Sequence, residues 1–342
     1  MVIKVMAKSD AVTRRIGQIA VVVSDHGRSC DFYARVFGLD HIFGTSAFRG
    51  EMAEKVQGLK NAASTTDWLI DDRERFQLEV FQYENPCSRP LAADRSISDV
   101  GYNRIIIAVE SLAETSRKAA EAGASVDSLP CGSNSAGPLH ALLSDPDGIL
   151  LEIVEAPELV AAQRPARIIG LGITSSDIDT TVDDMCAGFG FSACEDIFQH
   201  EAIWQQDGQL AQSQTLQLDD MYLVVSQYRN ARLRPEDQRL SDIGVMNFAI
   251  FFPGQDDFQS CCETTRQMGM KSNCEPISFG QDASITYNND RQGFSVEMIY
   301  LTPKLWGLYG FARPKFRDRL INKLTEYKSR RDYKKHLATS TT

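Results

Sequence analysis

One period constrains this chain more than any other feature. Four strand-like runs, at residues 76–81, 150–154, 222–226 and 294–299, are centred on Glu79, Glu152, Val224 and Glu297, which lie 73, 72 and 73 positions apart. A fixed spacing of that size marks a duplicated folding unit, because each copy must repeat its elements in the same order to keep the interval. Each copy also opens alike. Apolar, largely β-branched runs at 16–23, 104–109, 168–174 and 247–252 pass into helical patterns that stop at Gly38, Gly123, Gly188 or Gly190, and Gly269. Further strand-like runs follow, so the unit reads β-α-β-β-β. At about 150 residues per domain, 342 residues make two domains of two units each. The weakly periodic, proline-bounded stretch 157–166 is the expected linker. The expected division is an N-terminal extension (1–13), a first domain (14–156), the linker, a second domain (167–302) and a basic C-terminal helix with a disordered end (303–342).

Composition excludes several classes. An apolar content of 43% can build two cores, and no apolar run reaches the roughly 20 residues of a membrane span. Lysines break the N-terminus before a signal-peptide core forms, so a cytoplasmic protein is expected. The eight cysteines contain no CxxC pair, which favours reduced thiols. A net charge of −10 argues against nucleic acid, whose affinity comes from Lys and Arg on phosphates.

The stretches IGQIAVVVSD (16–25), FYARVFGL (32–39) and DPDGILLEIVEAPE (145–158), with echoes at 247–253 and 293–301, resemble the vicinal oxygen chelate superfamily of glyoxalases, bleomycin-resistance proteins and extradiol dioxygenases. The resemblance implies an α+β fold of four βαβββ units, paired into two cup-shaped open mixed sheets, with metal or substrate inside a cup. It also implies ligands on the first and last strands of each unit. In the first domain these positions hold Gln18, Glu79, Arg104 and Glu152, and in the second Gly170, Val224, Asn247 and Glu297. Two readings of the first cup follow. Gln18, Glu79 and Glu152 hold one hard divalent ion, or Arg104 replaces the metal, neutralises both carboxylates and stabilises negative charge on a substrate. The metal-free reading is preferred, since a guanidinium has no lone pair for a metal. No metal is expected in the second domain, where a roomy apolar pocket would include Tyr222 and Asn247 as substrate contacts. An extradiol dioxygenase needs two His and a carboxylate around iron, and only Glu297 remains of that set.

His140 shares strand parity with Glu152 and is a further acid–base candidate. His41 and His200 are expected at exposed strand edges, and His26 and His336 carry no functional assignment. Cys261 and Cys262 read as buried small hydrophobes. Gly170-x-Gly172 lacks the third glycine of a dinucleotide fingerprint. Residues 313–335 hold ten Lys/Arg against three Asp/Glu, and Phe316, Leu320, Leu324 and Tyr327 follow helical spacing. That stripe is expected to dock on the acidic body or on a twofold mate, with no membrane role. The resulting expectation is a glyoxalase-like lyase or isomerase that abstracts a proton beside a carbonyl, using Glu79, Glu152, Arg104 and His140, with Gln18 positioning the substrate. The alternatives are a divergent dioxygenase and a non-catalytic binding or resistance protein, and the partners are a small-molecule substrate and a second copy in a homodimer.

Overall fold

The structure is a computed structural model, and it describes residues 13–71, 73, 75–126, 138–196 and 209–340. The first unit comprises β1 (Arg15–Val22), α1 (His26–Phe37), β2 (Asp40–Thr45), α2 (Glu51–Gln57), β3 (Ala63–Ile70) and β4 (Gln77–Asn85). The second comprises β5 (Gly101–Val109), α3 (Leu112–Glu121), β6 (Ser125–Val126), β7 (His140–Ser144) and β8 (Leu150–Glu155). The third holds β9 (Ala166–Thr174), α4 (Ile178–Asp183), β10 (Ser192–Cys194), β11 (Leu210–Leu218) and β12 (Met221–Tyr228). The fourth holds β13 (Gly244–Phe252), α5 (Gln255–Gln267), β14 (Lys271–Ser272), β15 (Ile277–Phe279), β16 (Ala283–Asn289) and β17 (Ser295–Leu301), before the C-terminal α6 (Phe316–Ser340).

Local chemistry sets the helix ends. Asp25, Ser111 and Asp177 each accept a backbone N–H of the first turn that would otherwise lack a partner, at Arg28, Glu114 and Thr180. Gly38 ends α1 with φ of 66°, a left-handed geometry that costs glycine little.

The pairing of units differs from the expected one. Hydrogen bonding gives one sheet in the order β14-β16-β17-β13-β1-β4-β3-β2 and another in the order β10-β11-β12-β9-β5-β8-β7-β6. The first unit therefore joins the fourth, and the second joins the third. The central seams are antiparallel, β1 on β13 and β5 on β9. Residues 157–166, read from sequence as a linker between domains, connect two units of the same sheet. The chain crosses between sheets at 86–100 and 229–243 instead. These crossings lie together: Val100 N–H donates to Arg232 O at 2.9 Å, Ile243 N–H to Arg89 O at 2.9 Å, and Arg232 Nη1 pairs with Asp94 at 2.9 Å.

Period-2 alternation divides each strand between two faces. Ile19, Val21, Ile105, Ile107, Ile168, Leu171, Phe248 and Ile250 join the helices' buried side chains in one continuous core. In it, α1 meets α3 and α5 meets the wide turn after α4, so helices fill the space between the backs of the two sheets. The opposite faces form two cups. Among the described residues, no helix is long and apolar enough to cross a membrane.

The helix α6 does form, but its docked face is not the expected one. Phe316, Leu320, Leu324 and Tyr327 are 84%, 50%, 63% and 72% exposed. Polar groups hold the helix to the first unit instead. Glu326 Oε1 accepts from Ser46 N–H (2.6 Å) and Ser46 Oγ–H (2.9 Å), Asn322 Nδ2 donates to Gly44 O (2.8 Å), and Ser329 Oγ donates to Ala47 O (2.8 Å). The end expected to be disordered from 337 is helical to Ser340, and 341–342 lie outside the described residues, as does His200.

Candidate active site

Sheet pairing decides which predicted residues meet. Across the first sheet, Ala20 stands between Glu79 on β4 and Asn247 on β13, and Ala249 stands between Gln18 on β1 and Glu297 on β17. Small alanines at these two points leave the cup floor open to the four polar side chains. Gln18, Glu79, Asn247 and Glu297 are all buried. Gln18 Nε2 lies 2.6 Å from Glu79 Oε2 and 2.9 Å from Glu297 Oε2, so one amide bridges carboxyl groups that are 218 positions apart in the chain. Trp68 Nε1–H on β3 donates to the other Glu79 oxygen at 2.9 Å, and Tyr287 on β16 hydrogen-bonds Glu297.

Burial raises both acids. Glu79 rises well above the ordinary carboxyl range, first through desolvation and then through the charge of Glu297, and Glu297 rises to about 8. Two such carboxyls beside one amide retain a proton at neutral pH, because ionising one opposes ionisation of the other.

Gln77 indicates how the Gln18 amide is turned. With its nitrogen toward the strap after β17, Gln77 donates to Tyr309 O (3.1 Å) and Gly310 O (2.8 Å), and its oxygen then faces Gln18. The strap approaches this closely because residue 310 is glycine. A Cβ there would stand 2.3 Å from Gln77 Oε1 and 2.6 Å from Trp68, and φ is 79°. In that arrangement Gln18 presents nitrogen to Gln77 and oxygen to the two carboxyls. Three oxygens then converge, a set that needs shared protons or a hard cation. Asn247, whose buried amide atoms lack a partner at hydrogen-bonding geometry although Tyr287 lies beside it, could add a fourth oxygen. The donors fit a divalent ion of the Mg or Mn type.

Above this floor is a cavity of about 110 Å³ with apolar walls, among them Phe48, Met52, Phe81, Phe279, Ile299 and Leu301. Tyr309 and Phe311 close one side, which gives the segment after Pro303 a part in the site that its sequence did not signal.

The other predicted residues lie elsewhere. Arg104 and Glu152 belong to the second sheet, so the expected cluster of Gln18, Glu79, Arg104 and Glu152 does not assemble. Arg104 Nε–H donates to Glu152 Oε2 at 2.5 Å, Nη1–H donates to Asn103 Oδ1 at 3.0 Å, and His140 Nδ1 lies 3.0 Å from Glu152 Oε1, with all three main side chains fully buried. Among the described residues, the space expected beside the glycines is filled. A Cβ on Gly172 would stand 2.2 Å from Arg104 Nη1, and one on Gly170 would stand 2.3 Å from Tyr222 O, so the guanidinium and a neighbouring strand occupy that space. Tyr222 is on this second sheet, while Asn247 is in the first.

Residues 15–153 match the family described as the Glyoxalase/Bleomycin resistance protein/Dioxygenase superfamily. Two solved structures share the fold over most of the chain. Glyoxalase I from Zea mays is 15% identical, with a TM-score of 0.61, 84% of this chain covered and 92% of that one. A putative dioxygenase from Bacillus subtilis subsp. subtilis str. 168 is 16% identical, with a TM-score of 0.62, 95% of this chain covered and 96% of that one. No curated protein matches in sequence.

Proposed function

We propose that this chain, a member of the glyoxalase, bleomycin-resistance and dioxygenase superfamily through residues 15–153, is a glyoxalase-like lyase or isomerase whose reaction takes place in the cup of the first sheet. The observation that carries the reading is the convergence of Glu79 and Glu297 on Gln18 at the floor of an apolar cavity. A small carbonyl-bearing molecule would place its apolar part against Phe48, Phe81 and Ile299 and its carbonyl at the carboxyl pair.

Trp68 fixes Glu79 through one oxygen, while Glu297 stands across the floor with a carboxyl near neutrality, the range in which a general base works best. Glu297 takes the proton beside the carbonyl, and Glu79 supplies or receives the second proton, as suits two carboxyls pushed apart in acidity. Return of the proton to a neighbouring atom gives isomerisation, and departure of a group gives lysis. A divalent ion held by Gln18 Oε1, Glu79 and Glu297 would supply Lewis-acid polarisation of the carbonyl oxygen when bound. The walls exclude water and keep the carboxyl charges effective.

Iron-dependent ring cleavage is disfavoured, because the described residues lining this cavity include no histidine. The seven described cysteines are unpaired, which supports the cytoplasm as the compartment. The outward apolar stripe of α6 supports a homodimer, and sedimentation of the native chain against a Leu320→Ser, Leu324→Ser variant tests it.

The activity test is proton exchange. The protein, with and without added Mg2+, Mn2+ or Zn2+, is incubated in D2O with a panel of hydroxy-aldehydes, hydroxy-ketones and thiol adducts of dicarbonyls, and deuterium uptake beside the carbonyl is followed by NMR. Native protein should exchange at least one of them, and Glu79→Gln and Glu297→Gln should each slow it by about a hundredfold to ten-thousandfold, the range for loss of a general acid or base. Binding without exchange across the panel would leave a binding protein as the correct reading.

A further inference from the structure

On the back of the first unit, away from the cup, four side chains of three chemical kinds lie close to one another. His26 is the first residue of α1, and Cys30 lies one turn later, so both project from one helix face. His41 comes from β2 and Asp67 from the neighbouring β3. Asp67 Oδ1 is 2.8 Å from His41 Nε2, and its other oxygen contacts His26 Nδ1. Donor atoms of Cys30, His41 and Asp67 all lie within 4.8 Å of one another.

Backbone features build the arrangement. A register shift between His41 and Phe43 sends Ile42 and Phe43 to the cup side, where they pack on Trp68, and leaves His41 on the helix side with Asp67. Opposite Asp67, residue 44 is glycine, and a Cβ there would stand 2.3 Å from Asp67 Oδ1. That missing methyl group is what gives the carboxylate its place.

We propose that Cys30, His26, His41 and Asp67 form a tetrahedral zinc site. One thiolate, two imidazoles and one carboxylate are ligand types that zinc takes, four in number, and the thiolate sets the site apart from one for calcium or magnesium. The charges balance, because a thiolate and a carboxylate cancel a divalent ion and leave a neutral group to bury. A carboxylate needs a single cationic partner, so a simple ion pair accounts for neither the second imidazole nor the buried thiol. Cys30 and Asp67 are buried, while the His26 and His41 side chains are 38% and 45% exposed, which gives the ion a path in from solvent. Binding transfers the thiol proton to solvent as the Zn–S bond forms, with no change of oxidation state. The ion would tie the start of α1 to β2 and β3. Since Trp68 follows Asp67 and holds Glu79, the tie stiffens one wall of the cup without touching it.

Cobalt(II) tests this site separately from the cup, whose donors are all oxygen. Protein stripped with a chelator and given one equivalent of cobalt should show the near-ultraviolet sulfur-to-cobalt band and intense visible bands of a tetrahedral site, and zinc should abolish both. Cys30→Ser should lose the sulfur band. His41→Ala, a change at an exposed residue that leaves the core intact, should weaken zinc binding at least tenfold to a hundredfold, the cost that even outer-shell partners exert. It should also cancel the rise in melting temperature that zinc gives the native protein. Glu79→Gln with Glu297→Gln should keep the whole spectrum. A native protein that shows no sulfur band, or only the weak spectrum of octahedral cobalt, overturns the proposal, as does a band that survives in Cys30→Ser.

Discussion

Replacing Arg104 with methionine separates a structural role in the second sheet from a catalytic one. The guanidinium and Glu152 are each fully buried, 2.5 Å apart, in a region where Gly172 leaves space for the arginine alone. Removing one member of a buried pair costs about 3–5 kcal/mol, because the remaining charge loses its compensation away from water. His140 still faces Glu152, which places the expected cost toward about 3 kcal/mol. Removing both charges with Arg104→Met and Glu152→Leu takes one contact from Asn103 Oδ1 and one from His140 Nδ1. A buried polar group that loses a contact in this way costs about 1–3 kcal/mol, partly offset by the ion desolvation no longer needed. The double variant should therefore recover most of the loss, with a coupling energy of about 2 kcal/mol or more, within the range of contacting residues. Urea unfolding of the four proteins in the cycle measures it, and proton exchange by the folded fraction of Arg104→Met should match the native rate. An Arg104→Met protein that loses exchange activity at unchanged stability would place the chemistry in the second sheet and refute the assignment to the first.

Because burial holds the Glu297 carboxyl at about 8 and pushes Glu79 well above its ordinary range, and an ion needs both ionised, Mn2+ affinity should rise with pH through about 8. Calorimetry that finds equal affinity at about pH 6 and 8 would rule out this pair as the ligands. Burial raises Asp290 from 3.8 to about 7, so its contribution to stability is complete below about pH 4 and is lost as pH rises through about 7. Asp290→Asn, which keeps an acceptor for the Gln292 and Phe294 N–H groups, should flatten that part of the curve of urea midpoint against pH. At concentrations where the chain sediments as a monomer, Leu320→Ser and Leu324→Ser on α6 should each change stability by no more than about 0.5 kcal/mol, whereas Glu326→Ala should cost about 1.5–3 kcal/mol through its two bonds to Ser46. Thermal melts that reverse this order would show that the apolar face is the docked one.

The unit was legible in the sequence because its signals are local. The interval between Glu79, Glu152, Val224 and Glu297 and the stop at Gly38 each depend on neighbours in the chain. The family resemblance likewise pointed to Gln18, Glu79, Asn247 and Glu297 as strand positions of interest. What the sequence did not hold was which edges join. Any two units can be paired by one antiparallel seam, and nothing in residues 157–166 distinguishes a linker between sheets from a link within one. The helix α6 misled for a related reason. Hydrophobic spacing predicts burial, but this helix docks through backbone carbonyls of the first unit, which carry no sequence signature. The cluster at Asp67 was missed because His26 and Cys30 come from a helix and His41 from a strand, and only the fold brings them to one carboxylate.

Charge balance explains why the two cups diverged once the pairing is known. The four equivalent positions are Gln18, Glu79, Asn247 and Glu297 in the first sheet and Arg104, Glu152, Gly170 and Val224 in the second. The second cup has lost one of its two carboxylates to Val224, so a single guanidinium at the position of Gln18 neutralises what remains. The glycine at 172 then lets that guanidinium lie across the floor, which closes the cup. The first cup keeps two carboxylates with only uncharged groups beside them, and among the described residues no arginine or lysine lines its cavity. Its charge can be met only by protons held at a cost in acidity or by a cation that comes and goes. A floor left short of positive charge is the condition under which a substrate proton or a metal ion finds a place, and in this chain the first sheet alone meets it among the described residues.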